Sequence, residues 1–239
     1  MKLPKSIEPC PIIESIIELR FLTNEPDDAI FGLFHREIRD QFNEVNKLPI
    51  LDLPEKVRKA ESNLKFKPYY KFSNTEFDIN LGPRVISIIK KEPYSGWKKF
   101  SNTATNMVKV LKELDIVTSL ERLGLRYINF FDYDVYEKVD VKLTLGGENF
   151  IKNDTLIKNT YKMSGYDVTL QLSNSSTLKN DDKIRNGSVL DIDVSLKSLR
   201  VSFLTEPQNE LNDIHTTEKE IFFNLLKEEF VINNLNPKY

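Results

Sequence analysis

The clearest pattern along the chain is an alternation of apolar and polar residues over Glu121–Phe131. Successive side chains of a strand point to opposite faces, so this alternation predicts a β-strand with its leucines and tyrosine toward a core and Arg122 and Arg126 on the other face. The same period of two predicts a strand over Pro11–Leu22. Five further strands are predicted at Lys65–Ser73, Glu76–Leu81, Arg84–Lys91, Tyr166–Ser173 and Ser188–Leu199, and a sixth at Val139–Leu145.

Apolar residues spaced by three and four predict three amphipathic helices. The first spans about 28–45, the second begins at Trp97, and the last runs from Glu206 to about Asn233. Polar stretches predict a surface connection over 46–63, with a short helical turn over 54–62. A loop is predicted over 148–165, and a long mobile hairpin loop over 174–187.

The order of these elements predicts an α+β fold. The first half reads strand, helix, three strands, helix, strand, which resembles a ferredoxin-like plan with one extra strand. We expect an antiparallel sheet or sheets, two N-terminal helices on one face, and a long C-terminal helix that closes the structure. Residues 1–131 and 132–239 are expected to form two halves that pack as one globular unit.

Charges of both signs lie on the polar faces of three predicted strands. This candidate ligand-binding face consists of Glu14, Glu18, Arg20, Arg122, Arg126, Asp191 and Asp193. One interpretation is a solvated sheet face whose charges pair across strands. The other is an enclosed site, where the arginines would bind phosphate or carboxylate and the acidic groups a divalent cation. Such a site would be similar to the triphosphate-tunnel enzymes, although Glu18 and Arg20 supply only a fragment of their pattern.

Local motifs for catalysis are lacking in the sequence. It has no phosphate-binding glycine loop, no cysteine-rich zinc site and no nucleophile elbow, so we predict no catalytic residue, no metal and no cofactor. Trp97 is interpreted as a core anchor for the second helix, and His215 as structural or exposed. Tyr127 and Asn129 fall on the core face of their strand, where Asn129 must be hydrogen-bonded.

The composition and net charge of the chain indicate which kinds of partner, such as nucleic acid or membrane, it is expected to bind. The net charge is −2 and the pI is about 5.9, which disfavours a nucleic-acid-binding module even though Lys65–Lys71 interleaves basic and aromatic residues. The single cysteine, Cys10, and the lack of a long apolar run or secretory leader predict a cytoplasmic protein with no membrane contact.

Several segments together are similar to a sporadically distributed prokaryotic family of uncharacterised proteins. They are Pro11–Phe21, Tyr94–Phe100, Arg122–Asn129, Leu190–Asp193 and a last helix with His215 and Phe222. The most specific are the Arg-Leu-Gly-Leu-Arg-Tyr-Ile-Asn strand and the Gly-Trp-x-x-Phe helix start. The resemblance covers nearly the whole chain and implies no established activity. It implies that Cys10 is incidental, because family members usually carry Ala or a similar residue there.

These observations predict a non-catalytic, soluble binding or interaction protein. The patchy distribution of the similar family suggests an accessory component of a prokaryotic defence or mobile-element system, with a protein partner. Two alternatives stay open: a phosphate- or nucleotide-handling enzyme that uses the charged face, and a nucleic-acid-binding module. A half-covered sheet or the amphipathic last helix would offer a surface for a homodimer.

Overall fold

The computed structural model of the protein describes residues 2–151, 154–180 and 183–239. Its helices are α1 (Asp27–Ile38), α2 (Glu55–Ala60), α3 (Trp97–Glu113), α4 (Gln208–Leu225) and α5 (Glu228–Asn234). Its strands in the first half are β1 (Ile12–Leu22), β2 (Glu44–Lys47), β3 (Tyr70–Ser73), β4 (Phe77–Gly82), β5 (Val85–Lys91) and β6 (Ser119–Phe131). The second half adds β7 (Thr144–Leu145), β8 (Glu148–Asn149), β9 (Leu156–Met163), β10 (Tyr166–Asn180) and β11 (Lys183–Lys197).

One antiparallel sheet runs through both halves of the chain. Nine strands of the described residues pair in the order β2-β3-β4-β5-β1-β6-β11-β10-β9, while β7 and β8 form a separate hairpin. The first strand, β1, lies between β5 and β6, and β6 pairs on its other side with β11. The chain is therefore an α+β protein in which the two halves share a single sheet.

The fold predicted from the sequence is wrong in its arrangement. Two N-terminal helices do not cover a sheet face by themselves, because α1, α3 and the longest helix, α4, lie side by side on the same face. The predicted long C-terminal helix also breaks at Leu226, where extended backbone separates α4 from α5. The reason is the width of the sheet: the apolar sides of β6 and β11 form one continuous surface, which needs a third helix to bury it.

Pairing between strands overrides the polar composition of several segments. The predicted loop over 148–165 contains β9, and the predicted loop over 174–187 is the far end of the β10–β11 hairpin, whose backbone groups bond to each other. Residues 152–153 and 181–182 of those two loops lie outside the described residues. The strand predicted at Val139–Leu145 is wrong over most of its length, since Val139 makes only an isolated bridge with Leu226 and only the last two residues form a strand, β7. The helix predicted over 28–45 ends at Ile38 and is followed by β2.

The two faces of the sheet differ in character. We call the helix-packed side the covered face; it carries the apolar residues of the central strands, Ile17, Leu19, Leu123, Leu125, Tyr127, Leu190, Ile192 and Val194. We call the other side the open face, and it carries the charged residues of the same strands. The hydrophobic core of the protein therefore lies between the covered face and α1, α3 and α4.

Candidate functional site

The structure places all seven residues of the predicted charged face on the open face. Because β1, β6 and β11 are neighbours, Arg20 stands directly opposite Arg122, and Asp193 stands opposite Arg126. The arginine side chains lean along β6, so that Arg122 reaches Asp193 and Arg126 reaches Asp191. Glu14, at the end of this row, forms no ion pair among the described residues, and burial raises the pKa of its carboxyl group.

Carboxylates occupy the guanidinium groups on this face. Arg122 donates from Nη1 to Glu18 Oε1 at 2.9 Å and from Nη2 to both carboxyl oxygens of Asp193, at 2.7 and 2.8 Å. Arg126 forms a two-point pair with Asp191, at 2.8 and 2.6 Å, and Arg20 donates to Glu18 at 2.8 Å. Each of the three guanidinium groups therefore already has a carboxylate partner within the protein, with which a phosphate would have to compete.

Gly124 makes the central ion pair possible. A Cβ atom built on Gly124 would lie 2.1 Å from Nη1 of Arg122, so the guanidinium crosses the space that a side chain would fill. The Gly-Leu-Arg spacing of β6 therefore has a structural reason: a residue without a side chain lets Arg122 reach two neighbouring strands.

Replacing Gly124 by alanine should destabilise the fold by about 1 kcal/mol, because the displaced guanidinium gives up part of its pairing. Gly32 is the matched control, since it lies in α1 with no atom within 4 Å of its built Cβ. Gly32→Ala should stabilise the protein by about 0.5 to 1 kcal/mol through helix propensity. Urea unfolding of both variants measures the contrast. Equal changes in the two would mean that Arg122 finds other partners at no cost.

A groove of about 370 Å³ borders the charged face. It lies between β1 and the segment 62–68, and Glu18, Arg20 and Asn80 are among its lining residues. The guanidinium of Arg20 is already bonded to Glu18 and stacks over the Phe66 ring at 5.3 Å. Glu18 and Arg20, two of the charged side chains of this groove, are therefore already paired with each other within the protein.

A second cavity, of about 260 Å³, lies on the covered side of the sheet. Its walls come from β6, from the turn that leads into α3, from α4 and from the N-terminal segment. We call it the Glu218 cavity and define it by Cys10, Tyr94, Trp97, Tyr127, His215 and Glu218, all of which line it.

One face of helix α4 lines one side of the Glu218 cavity. His215, Glu218, Lys219 and Phe222 follow each other at helical spacings of three, one and three, and all four line the cavity. Residues three and four apart share a helix face, so the sequence of α4 fixes their common direction. The helix thereby points a carboxyl group, an imidazole and a lysine toward the sheet.

Aromatic rings and a chain of hydrogen bonds form the opposite wall. The hydroxyl groups of Tyr94 and Tyr127 are 2.9 Å apart, and the Tyr127 hydroxyl lies 3.4 Å from Nδ1 of His215. Trp97 stacks on the His215 ring with centroids 4.0 Å apart and donates from Nε1 to Asn212 at 2.9 Å. These contacts hold the rings in fixed positions around the cavity.

Glu218 is the exceptional group in this cavity. Glu218 is 4% exposed, and its side chain forms no hydrogen bond and no ion pair within the described part of the chain. Burial raises the pKa of its carboxyl group from an ordinary 4.5 to about 8, against a smaller opposing effect of Lys219. Burial likewise lowers the pKa of His215 from 6.5 to about 3. At neutral pH His215 is therefore uncharged and Glu218 is largely uncharged.

The N-terminal segment roofs the Glu218 cavity and is held by the other end of the chain. Pro4, Lys5, Ser6 and Ile7 line the cavity. Backbone bonds join Lys5 and Ser6 to Lys238, and Glu8 bonds to Leu235 at 2.7 Å. Cys10 follows at the rim, exposed overall, and burial of its thiol in the cavity raises its pKa. Movement of this roof would change access to Glu218.

Sequence reasoning missed the Glu218 cavity because each of its residues had a plausible structural role. The prediction of a buried, hydrogen-bonded Asn129 is confirmed, since its side chain donates to the Leu190 carbonyl at 3.1 Å. Trp97 is only partly buried and lines the cavity, in contrast to a pure core anchor. A usable signal was the pair His215 and Glu218, three residues apart on the apolar stripe of a helix.

A scan against models of protein families finds no match to this sequence, and a search of curated proteins also finds none. The resemblance to the prokaryotic family stays a prediction. In the described ranges, no three His, Cys, Asp or Glu side chains come close enough together to hold a metal ion. Over the same ranges, no helix combines the length and the apolar character needed to cross a membrane.

Proposed function

We propose that this chain is a small-molecule-binding protein and that the Glu218 cavity is its binding site. The observation that carries the proposal is the carboxyl group of Glu218, which is buried, has no partner among the described residues, and lines a space walled by aromatic rings. Buried polar groups in folded proteins are almost always hydrogen-bonded, and leaving one unsatisfied costs about 1 to 3 kcal/mol. A ligand in the cavity would supply the missing partner.

The size and lining of the cavity restrict the ligand. The space has a volume of about 260 Å³ and lies next to the core. It is smaller than the roughly 300 to 1,000 Å³ of pockets for drug-sized compounds. Aromatic walls with a few fixed polar groups suit a compact molecule with an apolar body and one hydrogen-bonding end.

The charged face is a weaker candidate for a ligand-binding site than the Glu218 cavity. Arg122 and Arg126 are paired with carboxylates, and an incoming phosphate would have to break those pairs. In the Lys65–Lys71 segment, the Lys65 ammonium lies over the Phe66 ring, and Lys71 is 3.9 Å from Asp78. A protein partner, a role in defence, a homodimer and a cytoplasmic location stay predictions.

Trp97 is the single tryptophan of the chain and lines the cavity, so its fluorescence reports occupancy directly. Titration with 2-phenylethanol and related small alcohols should change the emission saturably. Cys10→Phe, which places a ring at the cavity rim, should abolish the response. Cys10→Ala, which leaves the rim open, should retain it. Equal responses in all three proteins, or none in the wild type, would contradict the proposal.

A further inference from the structure

We infer that the ligand of the Glu218 cavity carries a protonated amine, which it places against the Glu218 carboxylate. This inference rests on the proposed function and names the class of ligand for that site. The structural basis is an acidic side chain with no cationic partner in the described ranges, set among the rings of Tyr94, Trp97 and Tyr127.

The first argument concerns the partner that Glu218 lacks. An ionised carboxylate can only accept hydrogen bonds, and an ammonium group offers three donors together with the opposite charge. Among the described residues, no lysine, arginine or histidine nitrogen lies within 4.0 Å of the Glu218 carboxyl oxygens. Those oxygens are also absent from the fully enclosed polar atoms that lack a partner, such as Ser15 Oγ, so a molecule in the cavity can reach them.

The second argument comes from the rings. Electron-rich faces of tryptophan and tyrosine attract cations within about 6 Å, by about 0.5 to 2 kcal/mol when the site is desolvated. The cavity combines such rings with one carboxyl group, which is the combination that recognises alkylammonium groups. The hydroxyl groups of Tyr94 and Tyr127 bond to each other at 2.9 Å, so they stay fixed beside an incoming cation.

Other titratable groups face the same space and must be compatible with a cation. His215 is uncharged at neutral pH, and the pKa values of Tyr94, Tyr127 and Cys10 are raised by burial, so these four groups carry no charge there. Lys219 lines the cavity on the same helix, and burial lowers its pKa. Lys5, at the roof, donates to the Tyr239 carbonyl at 3.2 Å. Lys219 and Lys5 are therefore the two groups within the described lining that would weaken binding of a cation.

Binding of an amine should release a proton. The free amine is already protonated at pH 7, whereas Glu218 is largely neutral there, so formation of the ion pair transfers the Glu218 proton to the buffer. The balance is one ammonium ion plus one carboxylic acid giving one ammonium–carboxylate pair and one proton. A neutral ligand of the same shape would leave the Glu218 proton in place.

The test compares 2-phenylethylamine, 2-phenylethanol and phenylacetate, which share a ring and differ in charge. Trp97 fluorescence should give the tightest dissociation constant for the amine. Calorimetry in two buffers with different ionisation enthalpies should show release of about one proton for the amine at pH 7 and none for the alcohol.

Variants separate the charge from the shape of the site. Glu218→Gln keeps size and hydrogen bonding but cannot ionise, so it should weaken amine binding roughly 10- to 100-fold and leave alcohol binding unchanged. Lys219→Met should tighten amine binding several-fold by removing the like charge from the wall. Alcohol binding that equals or exceeds amine binding in the wild type would overturn the amine inference and leave the proposed function standing. No response to any of the three compounds would overturn both.

Discussion

Replacing Arg122 by methionine is expected to lower the free energy of unfolding by about 2 to 3 kcal/mol, the largest effect that we predict for the charged face. Arg122 is 15% exposed and bonds to carboxylates on the strands at both of its sides. Methionine retains most of the apolar packing of the side chain but leaves Glu18 and Asp193 without their cation. Removal of one partner from a fully buried ion pair costs about 3 to 5 kcal/mol, and the partial exposure of Glu18 (23%) and Asp193 (32%) reduces that value.

Arg185→Met is the matched control for this prediction. Arg185 also forms a two-point pair with an aspartate, Asp132, at 2.8 and 2.9 Å, but Asp132 is 60% exposed. Exposed pairs contribute about 0 to 1 kcal/mol, so the same substitution should have a small effect there. Urea unfolding of both variants, with Arg122→Met combined with Asp193→Asn in a double-mutant cycle, measures the coupling.

The outcome also decides between two interpretations of the open face. If Arg122→Met costs no more than Arg185→Met, the network adds little to stability, and its arginines would be available to an anion. A large cost together with strong coupling to Asp193 would mean that the ion pairs mainly fix the register of β1, β6 and β11. The alternating charged residues of these three strands would then have a structural role, which is to align the strands.

The pattern of residues was sufficient to predict the main strands and which face of each is apolar. A period of two is a local property, so Leu125 and Arg126 could be assigned to opposite faces without any knowledge of the fold. The continuation of the sheet from β6 into β11 could not be predicted in the same way. It depends on which apolar surfaces meet, and the polar residues 174–180 and 183–187 form strands because each supplies backbone partners for the other.

The Glu218 cavity could not be predicted from the sequence, and the physical reason is a different one. Its polar groups lie on core faces, where a single tyrosine or histidine is normally satisfied by its neighbours. Whether Glu218 finds a partner depends on how α4 sits against the N-terminal segment, two regions more than 200 residues apart. A sequence identifies an acid on a helix. Only packing reveals that, among the described residues, no cationic nitrogen lies within 4.0 Å of its carboxyl group.

The stability of the protein should fall by about 2 kcal/mol between pH 6.5 and pH 8, mainly through Glu218. Burial raises its pKa from 4.5 to about 8, so the folded protein keeps a proton that the unfolded chain loses over this range. Stability from this source is complete below pH 4.5 and is lost as the pH rises toward 8, at about 1.4 kcal/mol per pH unit. Urea unfolding at pH 6.5 and 8.0 should show the decline in the wild type. Glu218→Gln, which cannot ionise, should show almost none.

His215 leads to a second prediction for the same measurement of stability against pH, now below pH 6.5. Burial lowers its pKa from 6.5 to about 3. Below pH 6.5 the unfolded chain therefore binds a proton at this histidine that the folded protein does not bind. The free energy of unfolding falls as the pH drops below 6.5. Between pH 6.5 and 4.5 this loss opposes the gain from Glu218, and the two should nearly cancel in the wild type. In Glu218→Gln the histidine effect stands uncompensated, so stability should drop by about 2 to 3 kcal/mol over that interval. Parallel pH profiles for the two proteins would mean that Glu218 is solvated or paired in solution, and the proposed binding site would lose its main support.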